Sequence, residues 1–488
     1  YIDDNACTDL LNQSLKQMCP SLYTNENAIF SKACEKLKQA LNIKNDSYER
    51  DRLLKEAVEL VKQIGYVANL GQVCDMLHTA GCYEAIFELC ITAAEKRDPQ
   101  NIALYYYRKN EPPEDIQGQH YYQLRTECYK SMLDCLNNLV KTPSYSLAQQ
   151  KTSAFISKEK LEEEINYLIR YVVNSKDELA QVSLFNWMVS NGFEKKLVTL
   201  DSTFLEFYLI RQYENQSKNR IYLDLLWRHY DYKKDYIKAS KVLITLAEKE
   251  SATSISLRER VEYLTQAIVA LNSSQKSSVK DEIAELNDRK DVALLQERIF
   301  EELGKIEPRT EAIQEAMGLL DSRLYDITKL FYEFAEKFEL SQYKLAIFKM
   351  SRHEDPNFIE IFWKQIVANE NDKLNRPDMK PSDLKHELAE NIILIAKDYI
   401  DDEKYFPLNL LIDSLEFVSL ARGFEPEWCC SLLRRLNLPF EQLIQAYNEV
   451  YLKKDIKWAE NSSRFINGIY CLIELFTKAP RATSETDK

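Results

Sequence analysis

The chain has 488 residues, with 64 Lys and Arg against 77 Asp and Glu, which gives a formal net charge of −13. This acidic balance argues against nucleic acid or an anionic membrane surface as the main partner, because both repel a negative chain at long range. The 9 glycines, where average usage gives roughly 34, argue against β-hairpins and nucleotide-binding sheets, which need glycine at positive φ.

Apolar residues at helical spacing run through the whole chain. Their i, i+3 and i+4 pattern places them on one helix face, with charged residues on the other. In chain order, these stripes comprise Leu53, Leu54, Ala57, Val58, Val61 and Ile64; Leu161, Ile165, Leu168, Ile169 and Val172; Ala239, Leu243, Leu246 and Ala247; and Leu324, Ile327, Phe331 and Phe334. No segment shows sustained two-residue alternation of β-branched residues, so the pattern predicts an all-α fold.

Two four-residue motifs indicate where helices begin. Ser175 and Ser256 are each followed three residues later by a glutamate, Glu178 and Glu259. In such a capping box, the serine and glutamate side chains bond to backbone N–H groups that the first helical turn leaves unpaired. We therefore expect a helix to start at each position.

Polar stretches with proline or serine divide the helical pattern, and short turns make neighbouring helices antiparallel. We predict an irregular α-solenoid of stacked antiparallel helix pairs, since no tetratricopeptide, ankyrin or leucine-rich period is present. The predicted parts are the N-terminal part of the solenoid at 1–140, a flexible linker at 141–158, a middle part at 159–370, a C-terminal part at 371–479 and a disordered tail at 480–488. A two-domain helical enzyme also fits the pattern alone.

The side chains that catalyse reactions or hold metals form no recognisable constellation. Cys74, His78 and Cys82 come nearest, because a spacing of four places ligands on one helical face and zinc accepts thiolate and imidazole. No fourth ligand is nearby in the sequence, and Gly81 falls where the helix should end, so we interpret them as two core thiols and a packed histidine. Walker, dinucleotide and nucleophile-elbow motifs are missing. We predict no catalytic residue, no cofactor, no metal site and no enzyme activity.

The last predicted helix has apolar residues around most of its circumference. They comprise Phe465, Ile466, Ile469, Tyr470, Leu472, Ile473, Leu475 and Phe476. A terminal solenoid helix is normally polar on its outer face, which leaves three explanations: a following helix has been cut away, the helix is central to its own layer, or a partner covers it. The aromatic residues of this region predict partner contacts at Trp428, Phe440, Tyr447, Phe465 and Phe476.

Several segments, in order along nearly the whole chain, resemble one family. They are Cys19–Tyr23, Ser31–Ala33, Thr92–Gln100, Glu111–Ile116, Ser175–Leu179, Phe185–Trp187, Tyr222–Arg228, Asp326–Leu330, Lys344–Ile347 and Tyr405–Leu408. Taken together, they make the chain similar to the C-terminal α-helical half of the non-repetitive, WGA-negative scaffold nucleoporins of the inner ring.

The resemblance implies a scaffold subunit of the nuclear pore complex at the nuclear envelope. It implies binding to other nucleoporins, especially short linear segments of flexible linker nucleoporins, and a role in pore assembly and in nucleocytoplasmic transport of protein and mRNA. It implies no direct nucleic-acid partner, and no membrane contact is expected from this part. The alternative is a helical-stack subunit of a vesicle-coat or PCI-type complex, for which a winged-helix ending would be the signal.

Overall fold

The computed structural model describes residues 24–43, 46–65, 69–141, 158–215, 219–250, 255–274, 279–374 and 381–478, with 10, 13–15 and 17–18 in addition. The predicted linker, apart from its two end residues, and the predicted tail at 480–488 lie outside these residues. Over the ranges given, every regular element is a helix, which confirms the all-α prediction. None of the helices in these ranges combines the length and the apolarity that a membrane crossing requires.

Residues 1–242 form one compact unit. Each of its helices packs mainly on the helices one or two places away in the chain, which is the contact pattern of an irregular helical stack. Its helices are α1 (Asn25–Asn42), α2 (Ser47–Gln63), α3 (Leu70–Ala80), α4 (Tyr83–Arg97), α5 (Ile102–Arg108), α6 (Ile116–Lys141), α7 (Lys158–Asn174), α8 (Glu178–Ser190), α9 (Glu194–Leu197), α10 (Leu205–Asn215), α11 (Arg220–Tyr232) and the first half of α12 (Tyr236–Glu248).

Residues 243–488 form the second unit, in which near neighbours along the chain again pack together. After the second half of α12 come α13 (Leu257–Ser273), α14 (Lys280–Lys305), α15 (Glu311–Ser322), α16 (Ile327–Lys329), a π-helix (Leu330–Glu336), α17 (Ser341–Met350), α18 (Pro356–Lys373), α19 (Pro381–Ala396), α20 (Leu408–Ala421), α21 (Glu427–Arg434), α22 (Phe440–Leu452), a 3₁₀ turn (Ile456–Trp458) and α23 (Ser463–Lys478). The three-part division predicted from the sequence stays a prediction.

The first apolar stripe folds as the helical period predicts. The stripe from Leu53 to Ile64 lies along α2 and its C-cap, and each member is at most 7% exposed. The capping box at Ser256 is also confirmed. The Ser256 hydroxyl accepts the N–H of Glu259 at 3.3 Å, while the Glu259 carboxylate accepts the N–H of Ser256 at 2.9 Å. Local sequence therefore sets both the buried face and the starting point of these helices.

The capping box predicted at Ser175 is wrong. Helix α8 has Asp177 as its N-cap, whose carboxylate accepts the N–H groups of Leu179 at 3.1 Å and Ala180 at 3.3 Å. The Ser175 hydroxyl instead donates to the carbonyl of Val172 at 2.7 Å, at the end of the preceding helix. An aspartate two residues further along thus outcompetes the serine, since a carboxylate makes the stronger bond to backbone N–H groups.

The stripe from Leu324 to Phe334 does not form a single α-helix. Leu324 lies in the turn before α16, because the carboxylate of Asp326 caps that helix by accepting the N–H of Lys329 at 2.8 Å. Residues Leu330–Glu336 then form the π-helix. This rare form changes the angular spacing of side chains, and Tyr332 within it is 67% exposed.

A buried charge network centred on Arg125 of α6 joins four helices of the first unit. The Arg125 side chain is 4% exposed, and its guanidinium lies 3.1 Å from the carboxylate of Asp98 and 3.2 Å from that of Asp177. It also donates to Asn101 Oδ1 at 2.7 Å, and the Tyr129 hydroxyl donates to Asp177. Asp98 follows α4, Asn101 precedes α5 and Asp177 caps α8. Although burial opposes the charge, Tyr129 and the two carboxylates raise the pKa of Arg125.

The second unit has its own buried arginine between helix ends. Arg260 of α13 is fully buried. Its guanidinium donates to the carbonyl oxygens of Ala247 at 2.8 Å, Lys249 at 2.6 Å and Ser322 at 2.6 Å. These carbonyls lie at the ends of α12 and α15, where no intrahelical N–H can reach them. The side chain thereby satisfies the backbone of two neighbouring helices.

Replacing Arg125 by methionine should destabilise the first unit by about 3–5 kcal/mol, because it leaves two carboxylates buried without their cation. A lowered urea midpoint, followed by circular dichroism, would measure the effect. Arg52→Met is the matched control, since Arg52 pairs with Glu49 and Glu56 on the surface and its loss should change the midpoint little. Equal midpoints for the two variants would contradict the structural role given to Arg125.

Buried tyrosines should make the fold sensitive to alkali. Tyr208 is fully buried beside Phe185 and donates to Asn186 Oδ1 at 2.8 Å. Burial raises its pKa well above the usual value of 10. The unfolded chain therefore loses the phenolic proton first, and stability that is complete below pH 10 is lost as pH rises further. Tyr208→Phe should unfold less steeply between pH 9 and pH 11 in urea titrations. An unchanged pH slope would contradict this assignment.

Candidate partner-binding surfaces

The five predicted contact residues at the C-terminal end divide into core and surface positions. Tyr447 and Phe465 are 0% and 1% exposed, so their side chains lie in the hydrophobic core and cannot touch a partner. Trp428 and Phe440 are half-buried, and Phe476 is 56% exposed. Only these last three stay candidates for direct contact, and their role in binding stays a prediction.

Tyr447 holds α22 against its neighbours. Its hydroxyl donates to the Glu416 carboxylate at 2.8 Å, and the guanidinium of Arg464 donates to the same carboxylate at 2.8 Å. Burial raises the pKa of Glu416, although both partners oppose that shift. A Cβ at Gly468 would lie 2.5 Å from the Tyr447 ring, so α23 passes close to α22 because residue 468 has no side chain. Tyr447 therefore has a structural role.

Helix α23 presents an apolar stripe to solvent. Its members Ile466, Tyr470, Ile473 and Phe476 are between 47% and 69% exposed. This exposure excludes the explanation that α23 is central to its own layer. At the far end, the ring of Phe476 lies 5.2 Å from that of Phe440. We call Ile466, Tyr470, Ile473 and Phe476 the C-terminal stripe.

Trp428 is the second residue of α21, and Phe440 is the first residue of α22. The indole N–H of Trp428 donates to the carbonyl of Lys385 at 3.3 Å, and its ring lies 5.0 Å from Phe424. The guanidinium carbon of Arg434 lies 3.7 Å from the centre of the Phe440 ring, a cation–π contact. Both side chains thus already have intramolecular partners and offer a partner protein only part of their surface.

The cysteine and histidine motif does not gather into a metal site. Cys74 points into the core, where its sulfur lies 4.0 Å from that of Cys90. His78 packs edge-on against Tyr83 at 5.3 Å. Gly81 ends helix α3 with φ of 77°, as its position in the sequence predicts. Across the described ranges, no three His, Cys, Asp or Glu side chains are placed to hold a metal ion.

A second apolar surface lies in the second unit and is absent from the sequence predictions. It is an open groove of about 650 Å³ between the π-helix, α17 and α18. Phe348 and Phe362 form its floor with ring centres 5.0 Å apart. Tyr332, Phe358 and Ile361 line it while being 67%, 48% and 45% exposed. We call this surface the aromatic groove.

Sequence reasoning contained a partial signal for the aromatic groove. Two of the segments that carry the family resemblance, Asp326–Leu330 and Lys344–Ile347, contribute residues to its walls. The third wall comes from α18, whose Phe358 and Ile361 follow the helical period and look like ordinary core residues. Only the packing of three elements separated in sequence shows that these side chains face an open space.

Fold and surfaces together define a class of protein: an all-α helical stack that, over the described ranges, exposes apolar surfaces between and along its helices. The family described as non-repetitive/WGA-negative nucleoporin C-terminal matches residues 1–487, and the chain belongs to this family. Nucleoporins are components of the nuclear pore complex, so the family confirms the predicted location and decides against the vesicle-coat and PCI alternatives. It is a family of structural proteins.

Curated relatives share the sequence along nearly the whole chain. The nuclear pore complex protein Nup154 of Drosophila melanogaster is 27% identical over 95% of this chain and 34% of its own length. The probable nucleoporin C890.06 of Schizosaccharomyces pombe is 24% identical over 94% of this chain and 34% of its own length. The chain thus spans about a third of the length of these relatives.

Solved structures from Chaetomium thermophilum have the same fold. The solenoid structure of Nup170 superposes with a TM-score of 0.80 at 21% identity, covering 96% of this chain and 63% of that one. The C-terminal domain of Nup170 in complex with Nup145N superposes with a TM-score of 0.69 at 21% identity, covering 91% and 90%. These similarities confirm the helical solenoid fold.

Among the five predicted contact residues, substitutions at core positions should cost more unfolding free energy than substitutions at surface positions. Phe465→Ala should lower the free energy of unfolding by about 3–5 kcal/mol, because it leaves a cavity in the core. Phe476→Ala should change it by less than about 1 kcal/mol, because that ring is largely exposed. Urea titrations of both variants test this, and a large loss for Phe476→Ala would show that its ring is part of the core.

Proposed function

We propose that this chain is part of a structural scaffold subunit of the nuclear pore complex inner ring that binds linear segments of linker nucleoporins. In this role it supports pore assembly and the transport of protein and mRNA between nucleus and cytoplasm. The observation that carries the proposal is the family match over residues 1–487, joined to a helical fold whose described part exposes apolar surfaces. The complex of the Nup170 C-terminal domain with Nup145N supports partner binding by such a domain.

Physical properties of the fold suit a scaffold. In a helical stack each helix contacts only its near neighbours. A large share of the side-chain surface therefore stays accessible to partners. Short segments can dock on such surfaces through a few apolar anchors. Each contact is modest in affinity, and repetition around a symmetric assembly strengthens attachment through high effective concentration. No substrate turnover, direct nucleic-acid contact or membrane contact is part of this proposal.

The proposal is tested with the chain as bait in nuclear-envelope extract, followed by mass spectrometry. We expect nucleoporins, including a homologue of Nup145N, to be enriched over beads alone. The tagged full-length protein should also give a nuclear-rim signal. Recovery without enrichment of any nucleoporin, or a tagged protein spread through the cytoplasm, would refute the scaffold role.

The C-terminal stripe can be tested in the same assay. The double substitution Tyr470→Glu and Phe476→Glu should reduce recovery of a partner that covers the stripe, because each places a charge where an apolar anchor would dock. Leu452→Glu on α22, at a residue 60% exposed, is the matched control and should leave recovery unchanged. Full recovery of every nucleoporin by the double variant, with an unchanged urea midpoint, would remove the stripe from the list of binding surfaces.

A further inference from the structure

The aromatic groove carries no net charge of its own. Two of its lining residues are formally charged, Glu336 and Lys344, and their side chains form an ion pair at 2.6 Å. The Lys344 side chain is 6% exposed, and its ammonium nitrogen lies 5.9 Å from the centre of the Phe362 ring. Its positive charge is therefore already paired within the chain. A segment that docks here therefore gains binding free energy from apolar anchor residues. A charged residue inside the groove would lose its hydration without a free counter-charge.

A second open slot of about 520 Å³ lies between the end of α12, α14 and the turn before α16. Its interior is apolar and includes Val292 and Leu324. Its rim is acidic, with a formal charge of −3 from four carboxylates and one guanidinium. The charged rim residues are Glu248, Glu285, Asp288, Arg289 and Asp326. We call this surface the acidic slot.

Internal pairing leaves the rim of the acidic slot negative. Arg289 lies 2.6 Å from each of Glu248 and Glu285 and is shared between them. Asp326 caps α16 and lies 3.8 Å from the ammonium of Lys329. Asp288 is exposed and forms no ion pair with the residues that the structure describes. The field above the slot therefore attracts a cation beside an apolar residue.

The aromatic groove and the acidic slot adjoin each other. Ile327, the first residue of α16, belongs to the walls of both. Both surfaces also lie within the second unit. Together they form one track with a chemical polarity, acidic at the α14 end and neutral and aromatic at the α18 end.

We propose that this track binds one linear segment of a partner protein, with Lys or Arg next to an aliphatic residue at one end and large apolar anchors at the other. The negative rim of the acidic slot favours a basic residue at one end of the segment. The aromatic groove, whose charges are already paired, favours uncharged anchors at the other end. This inference rests on the proposed function, because it gives the chemistry of a partner segment that the scaffold would hold. It also fixes the direction in which the segment lies.

The probe is a library of random peptides displayed on phage and selected on the intact 488-residue chain. Selected peptides are then synthesised with a fluorophore and titrated by anisotropy. We expect a basic residue beside an aliphatic one, followed by aromatic or long aliphatic residues. Asp288→Lys and Ile361→Ser should each weaken binding roughly tenfold. The matched controls Glu460→Lys and Leu394→Ser, at exposed positions of the second unit outside both surfaces, should bind like the wild type.

A charge swap distinguishes direct contact from a loss of folding. Changing the basic residue of a selected peptide to Glu should weaken its binding to the wild-type chain and restore binding to Asp288→Lys. Because the first measurement changes only the peptide, it stays informative even where a protein variant folds poorly. Higher salt should weaken the wild-type complex, and should have less effect on a peptide that lacks the basic residue.

Several outcomes would overturn the proposal. One is that the selection yields no binding peptide. Another is that the selected peptides bind Asp288→Lys and Ile361→Ser as tightly as the wild type. Self-association of the chain that Ile361→Ser abolishes would assign the track to a second copy, and binding by a peptide of residues 142–157 would assign it to the chain itself. If nucleoporins are recovered from extract equally by wild type and track variants, this inference fails while the scaffold role stands.

Discussion

The last carbonyl groups of a helix have no hydrogen-bond partner within that helix, and in a stack of many short helices these groups lie between packed neighbours. Buried arginines meet this constraint in both units. Arg260 donates to three helix-end carbonyls, and Arg211 donates to that of Tyr107. Arg125 does the same for Asp98 while also pairing with two carboxylates. Five donors in a fixed planar arrangement let one arginine join several backbones.

This way of satisfying helix ends explains how the chain forms a stack without a sequence repeat. In regular solenoids, each repeat satisfies its turns in the same way. Here each turn has its own arrangement, such as Asp177 at the start of α8 or Asp326 at the start of α16. Residues of α16 line both the aromatic groove and the acidic slot, and residues of the π-helix line the groove.

Core side chains and exposed apolar side chains lie close together at the C-terminal end of the second unit. Tyr447 of α22 and Phe465 of α23 are buried, while Tyr470 and Phe476 face solvent on α23. A partner can therefore contact the outer residues without disturbing the core. In a scaffold this separation is useful, since binding surfaces can change charge or anchor residues at little cost in folding free energy.

Sequence by itself determined the all-α class, the buried stripe of α2, the capping box at Ser256, the helix end at Gly81 and the family, because these features depend on residues close together in the chain or on order along it. It also marked the aromatic C-terminal region. Tertiary structure alone decided that Tyr447 and Phe465 are core residues and that Ile327 joins two open surfaces. Each of these depends on side chains from helices distant in sequence. Helical periodicity indicates which face of a helix is apolar, but it does not indicate whether another helix covers that face.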